Sequence, residues 1–264
     1  MMLDVPQDGL AAACGALVGF SLALTGGGGS ILAVPLLLYV VGVRDVHLVI
    51  GTSALAVAVN AYANLLAHAR AGHVRWREGA VFAAAGVAGA AAGSELGKWM
   101  DGQRLLALFA LLMLVVAAWM LRPRVIAACG PVPRHLQTRL AVTGFGAGAL
   151  SGFFGIGGGF LIVPGLMYAA RMPILEAIGT SLLGVGTFGL TTAANYARSG
   201  LVDWMLAAVF LAGGVFGGAL GVRAAGRLAR TRGALTAAFS AMIAGVAVYM
   251  LIHAALPAAA AAQH

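Results

Sequence analysis

The sequence predicts an all-α integral membrane protein made of two inverted repeats, each a glycine-broken re-entrant helical hairpin followed by three transmembrane helices. Three observations carry that prediction. Of 264 residues, 61% are hydrophobic and 9% charged, whereas a soluble domain carries about 25% charge, so a soluble single domain is excluded. The apolar residues fall into eight long stretches separated by short, arginine-bearing loops. The first four stretches also resemble the second four. Gly26–Pro35 reads GGGGSILAVP, and the matching block Gly155–Pro164 reads GIGGGFLIVP. Gly51-Thr52-Ser53 recurs as Gly179-Thr180-Ser181, and Arg70 to Trp76 as Arg198 to Trp204, in the same order and at almost the same offset.

The stretches are residues 9–43, 46–69, 78–97 and 105–121, then 140–170, 174–197, 204–222 and 233–256. The segment between the halves holds Pro123, Pro131 and Pro133. This gives a first repeat at 1–121, a linker at 122–139, a second repeat at 140–256 and a tail at 257–264.

A single span needs roughly 20 apolar residues. The first stretch of each half is longer, and a glycine cluster interrupts it. Four consecutive glycines stop a helix on entropy alone. Each stretch is therefore either one long broken helix, giving eight full transmembrane helices, or a re-entrant hairpin with arms of about 15 residues, tolerable where buried in protein or lining a wet cavity.

The positive-inside rule separates the two. If every stretch crosses, eight Lys and Arg collect on each side. With hairpins, twelve collect on one side, and Arg44, Lys98, Arg104 and Arg198 on the other. Hairpins are therefore preferred, with both termini on the periplasmic face of a bacterial inner membrane. Three crossings per half invert the second repeat relative to the first, a transporter arrangement. Met1–Leu10 contains Asp4 and Asp8 but no Lys or Arg, so it lacks the positive region of a signal peptide and is expected to stay.

The net charge of +8 is spread through the loops and reads as topology plus an anionic cargo, not nucleic-acid binding. Cys14 and Cys129 make neither a disulfide framework nor a metal site. No nucleophilic triad, zinc spacing or phosphate loop is present, and Gly155–Gly159 lacks the strand and acidic partner of a dinucleotide site. A non-enzyme without cofactor is expected, its partners being a small anion, the bilayer and, in a homo-oligomer, further copies of itself.

The glycine tips carry the binding expectation. Each opens a half-helix, at Gly28-Gly29-Ser30 and at Gly157-Gly158-Gly159, whose first N–H groups have no intrahelical acceptor. Those donors and the helix dipole favour an anion. Two tips entering from opposite faces, Gly26, Gly27, Gly28, Gly29 and Ser30 with Gly155, Gly157, Gly158 and Gly159, would meet near the midplane around one oxyanion. Thr25 and Ser30 add hydroxyls. The competing explanation is close helix packing through small residues.

At matching depth, counting about 1.5 Å per residue, lie Asn60 and Asn64 in the first half and Thr187, Thr191 and Thr192 in the second. They either donate to the anion or hold helices together. Thr52, Ser53, Thr180 and Ser181 either line the path or bond back to their helix carbonyls. Glu95 beside Lys98, and Glu176 at a helix start, read as structural. His68 and His73 read as solvated loop residues, so no proton relay is expected.

The pattern Gly155-Ile-Gly-Gly-Gly-Phe-Leu-Ile-Val-Pro164 followed by Ala177-Ile-Gly-Thr-Ser181, duplicated in the first half, resembles the TauE/SafE sulfite exporter family over residues 9–255. The first copy departs from it, with Gly27 in place of Ile156 and Ser30 in place of Gly159. The resemblance implies a bacterial inner-membrane permease for sulfite, sulfonates or related sulfur-containing anions, usually an exporter. An anion channel and a non-transporting membrane or sensor subunit are the alternatives.

Overall fold

The computed structural model describes residues 5–120, 135–155, 159–228 and Gly245; Gly157, Gly158, Cys129, most of the linker and the last apolar stretch lie outside the described residues. The described residues are helical, without strands. The helices are α1 (Val5–Thr25), α2 (Val46–Arg70), α3 (Trp76–Lys98), α4 (Gly102–Met120), α5 (Leu136–Phe154), α6 (Gly159–Ala170), α7 (Ile174–Arg198) and α8 (Trp204–Leu228). Between α1 and α2 the chain forms a distorted arm: a 3-10 turn at Gly26–Leu32, an α-turn at Ala33–Pro35 and a π-turn at Leu36–Val40.

Helix starts follow local chemistry. Asp45 accepts from the N–H groups of His47 and Leu48 at 2.9 and 3.1 Å to cap α2. Asp203 accepts from Leu206 N–H at 3.0 Å to cap α8. Both satisfy donors a helix start leaves free.

Among the described residues, five helices, α1, α2, α3, α7 and α8, are long and apolar enough to cross a membrane. Their outward faces agree with that reading. Phe216 is 72% exposed and Trp204 66%, and on α5 Val142 is 67% exposed, a display of large apolar side chains that suits lipid rather than water. The interior is fully buried and includes Leu22, Ile31, Ile50, Phe82, Phe188 and Phe210.

Small residues set the packing. Gly15 abuts Phe210, Gly19 abuts Gly214 and Gly217 abuts Ala16, so α1 and α8 run parallel with backbones in contact. Gly144 abuts Phe82, Gly148 abuts Gly86 and Gly152 abuts Ala90, so α3 and α5 do the same. In lipid, where no hydrophobic drive joins helices, such close approach supplies the association. Between these seams Gly51 meets Tyr196, Ala58 meets Gly189 and Tyr62 meets Gly186, which makes α2 and α7 antiparallel.

Asn60 lies against Gly214 and Asn64 against Gly218, so α2 is parallel to α8 and therefore to α1. The chain must consequently return between α1 and α2, and it reverses at Gly26. There φ is +69°, a value that also occurs at Gly155 between α5 and α6. Past the turn, Gly29 packs onto the backbone of Ser21 and Leu22. This is a hairpin rather than one long broken helix.

Its first arm is longer than expected. Helix α1 runs unbroken for 21 residues, because no breaker interrupts the face that Gly15 and Gly19 present to α8.

Candidate functional site

The Gly-Thr-Ser blocks sit near the starts of α2 and α7, and they clasp the two halves reciprocally. Thr52 Oγ1 accepts from Asp203 N–H at 2.9 Å, and Thr180 Oγ1 accepts from Arg75 N–H at 2.9 Å. Gly51 makes room for the Leu201 carbonyl and Gly179 for the His73 carbonyl. Each half thereby holds the loop that follows the second long helix of the other. Ser53 donates to Ile50 O at 3.1 Å and Ser181 to Ile178 O at 2.7 Å, while Ser181 Oγ accepts from Gly27 N–H at 3.3 Å. Replacing Thr52 and Thr180 together by valine strands two loop N–H groups. It should lower stability by about 2–6 kcal/mol, at about 1–3 for each unsatisfied donor, read as thermal unfolding in detergent.

Two polar clusters tie α3 to α7 at opposite ends. At one, Arg75 Nε donates to Glu176 Oε2. At the other, Lys98 Nζ bonds Asn195 Oδ1 at 3.0 Å and Ser199 Oγ at 3.2 Å, and pairs with Glu95 at 2.7 Å. Asn195 Nδ2 completes that cluster through Ser94 Oγ at 2.7 Å and Glu95 Oε2 at 2.8 Å.

The glycine segments approach from opposite ends of the α2/α7 pair. Gly26 sits against Ile178 and Ser181, and Gly155 against Ile50, positions about 25 Å apart along the antiparallel pair at about 1.5 Å per residue. Gly26 and Gly155 are therefore turn residues at separate levels. What lies side by side is the 3-10 turn Gly26–Leu32 and helix α6.

Hydroxyl bonding sorts the remaining candidates. Thr25 Oγ1 donates to Ser21 O at 2.6 Å, Ser30 Oγ to Gly27 O at 2.7 Å and Thr191 Oγ1 to Thr187 O at 2.8 Å. Their hydrogens are spent on backbone carbonyls. As placed, these hydroxyls offer lone pairs, not donors, to an anion.

Asn60 and Asn64 differ. Asn60 is 0% exposed, yet neither Nδ2 nor Oδ1 has a protein partner; Asn64 is 5% exposed and its Nδ2 is likewise free. Thr192 Oγ1, at 0% exposure, is the corresponding unpartnered hydroxyl of the second half. Buried polar groups without partners cost about 1–3 kcal/mol each, and the Asn60 carboxamide, near the middle of α2, has both ends open.

The chain as a whole matches a family model. Residues 11–250 match that of the sulfite exporter TauE/SafE. The chain belongs to the TauE/SafE family.

Among TauE/SafE relatives, a protein of Xylella fastidiosa strain Temecula1 named "Probable membrane transporter protein" is 55% identical over 243 residues, covering 90% of this chain and 92% of the relative. The "Probable membrane transporter protein YunE" of Bacillus subtilis strain 168 is 28% identical over 230 residues, covering 78% of this chain and 84% of the relative. No solved structure matches. The TauE/SafE chain is thus a member of a membrane transporter family.

Sequence reasoning overlooks three features of this part of the TauE/SafE chain. Gly214 and Gly218 form the notches that receive Asn60 and Asn64. His68, which reads as a solvated loop residue, is 1% exposed in the last turn of α2. The i, i+4, i+8 spacing of Asn60, Asn64 and His68 places all three on one helix face, and that spacing is visible in the sequence.

Proposed function

We propose that the protein carries sulfite, a sulfonate or a related small sulfur-containing oxyanion out of the cell by alternating access. The observation that carries this reading is the buried, unpartnered carboxamide of Asn60, near the middle of α2 and between the levels of Gly26 and Gly155. An uncharged amide and backbone N–H groups stabilise an oxyanion without the trapping that a full counter-charge brings.

The two halves act as inverted repeats related by a two-fold axis in the membrane plane. Antiparallel α2 and α7, and the matched seams α1/α8 and α3/α5, support this. Helix direction also collects Arg70, Arg75, Arg77, Arg139, Arg171 and Arg223 at one end, and Arg44, Lys98, Arg104 and Arg198 at the other. By the positive-inside rule the first end is cytoplasmic, which puts the start of α1 outside an inner membrane.

Export is energetically natural for such a carrier. One charge crossing 100 mV is worth about 2.3 kcal/mol, so an inside-negative membrane drives a monoanion outward by a factor of about 50.

Flux of labelled sulfite and small sulfonates in proteoliposomes, with and without an imposed potential, tests the reading. Saturable, potential-driven flux is expected. Non-saturating flux with unitary conductance would replace the carrier by an anion channel. Gly28→Leu, which places a bulky side chain on the first tip, is expected to abolish that flux while the protein still inserts and purifies.

A further inference from the structure

Along one face of α2, every turn from mid-helix to its end carries a buried polar group with an open valence. Asn60 lacks partners at both amide atoms, Asn64 at Nδ2 and His68 at Nδ1. The second half answers with Phe188, Thr192 and Tyr196 at the matching positions of its repeat. At mid-helix its stripe is a phenyl ring, stacked on Phe82 with centroids 6.2 Å apart. The continuous polar stripe is therefore a property of the first half alone.

At the end of that stripe His68 is held in one tautomer. Its Nε2 lies 3.0 Å from the carbonyl oxygen of Ala23, and a carbonyl only accepts, so Nε2 carries the hydrogen and Nδ1 presents a lone pair. That lone pair is buried and unused. Ala23 stands just before the turn at Gly26, so the imidazole is fixed to the hinge of the first hairpin. The ring of His73, at the mouth after α2, lies 5.8 Å from it, and its Nδ1 is also without a partner.

Each element around His68 has few charges to set against it. On α2, Arg70 is exposed. The loop after α2 supplies His73 and Arg75, the latter paired with Glu176 of α7. Residues 18–25 of α1 and Gly26–Leu32 of the arm contain no titratable group. On α8, Arg223 is exposed and donates to its own helix at Ala219 O.

From this placement we propose that His68 is a proton-binding site linked to anion binding. A proton entering from the His73 mouth adds to the Nδ1 lone pair, while the Nε2–H bond to Ala23 stays in place. The resulting imidazolium supplies, two turns from Asn60, the positive charge the uncharged midplane lacks. No bond other than N–H forms or breaks. An ionisable group at this depth in a bundle is costly to keep and marks a functional position. Linkage is reciprocal: a proton on His68 tightens anion binding, and the anion tightens proton binding by the same factor.

The inference rests on the anion-transport reading, so its test has two separable arms. In the first, 15N-histidine NMR is recorded on the full-length protein in nanodiscs, with His68→Gln identifying the resonance. The sample is acidified from about pH 8 to about pH 5, and a neutral Nε2–H tautomer that gains a proton as the pH falls is expected. The opposite tautomer, or a ring that stays neutral throughout, overturns the proposal whatever the substrate is.

In the second arm, flux of methanesulfonate, which stays a monoanion over this range, is followed against pH. Flux is expected to rise about tenfold on acidification, and less than about twofold in His68→Gln, with His73→Gln keeping most of the dependence. A His68→Gln protein that keeps the full pH profile overturns the linkage. If the first arm succeeds and neither protein moves methanesulfonate at any pH, the proton site stands, while the anion reading and the linkage to it fail.

Discussion

Asn60→Leu is expected to stop transport and stabilise the protein at the same time. Leucine is nearly isosteric with asparagine and fits the notch at Gly214. The carboxamide it replaces has neither amide atom bonded to protein, so the apolar variant escapes the cost of burying open polar atoms, about 1–3 kcal/mol. If Asn60 merely joined helices, the same substitution would be neutral or harmful to stability and flux would survive. The two readouts thus move in opposite directions only if the amide belongs to a ligand. Unfolding temperature in detergent and anion flux in liposomes, measured on one preparation, decide it. Flux near the wild-type rate would remove Asn60 from the site.

Gly19→Val should have the largest effect on the fold. A Cβ at this position would strike the backbone of Gly214 across the seam with α8. Backbone cannot yield as the end of a flexible side chain does. Overpacking ordinarily costs about 1–3 kcal/mol, and a clash with backbone is expected at or above the top of that range. Loss of a monodisperse peak on size exclusion, with flux lost alongside, is the expected result. The corresponding change at Gly146, which has open space around its Cα, should leave both unchanged and serves as the control.

Much of this is legible in the sequence because membrane burial leaves coarse marks. The apolar stretches that fall within the described residues and the near-constant offset between repeated blocks locate the helices and pair the halves, and the charged residues in the loops sort to one side or the other. The glycine cluster indicates that the chain breaks. The length of α1 escapes a sequence reading because the helix starts at Val5, four residues ahead of the apolar stretch that begins at residue 9. The Gly-Thr-Ser blocks read as path or helix bonds. Their reciprocal clasp pairs each threonine with a backbone N–H in the other half, and a backbone donor carries no side-chain signature. His68 escapes for a related reason. A histidine beside a loop reads as solvated until a distant segment, here Ala23, is found to cover it.

The seam between α1 and α8 has a bearing on how the protein is made. The first described helix packs against the last described one, and most of the chain separates Gly15 from its mate Phe210. At synthesis rates of about 5–20 residues per second, the glycine face of α1 waits roughly 10–40 seconds in the lipid before α8 arrives. During that interval α2, with its buried carboxamides, also lacks the notches at Gly214 and Gly218. An insertase or membrane chaperone that shields small-residue faces would act on this nascent chain in that window, and a membrane protease would find its substrate there.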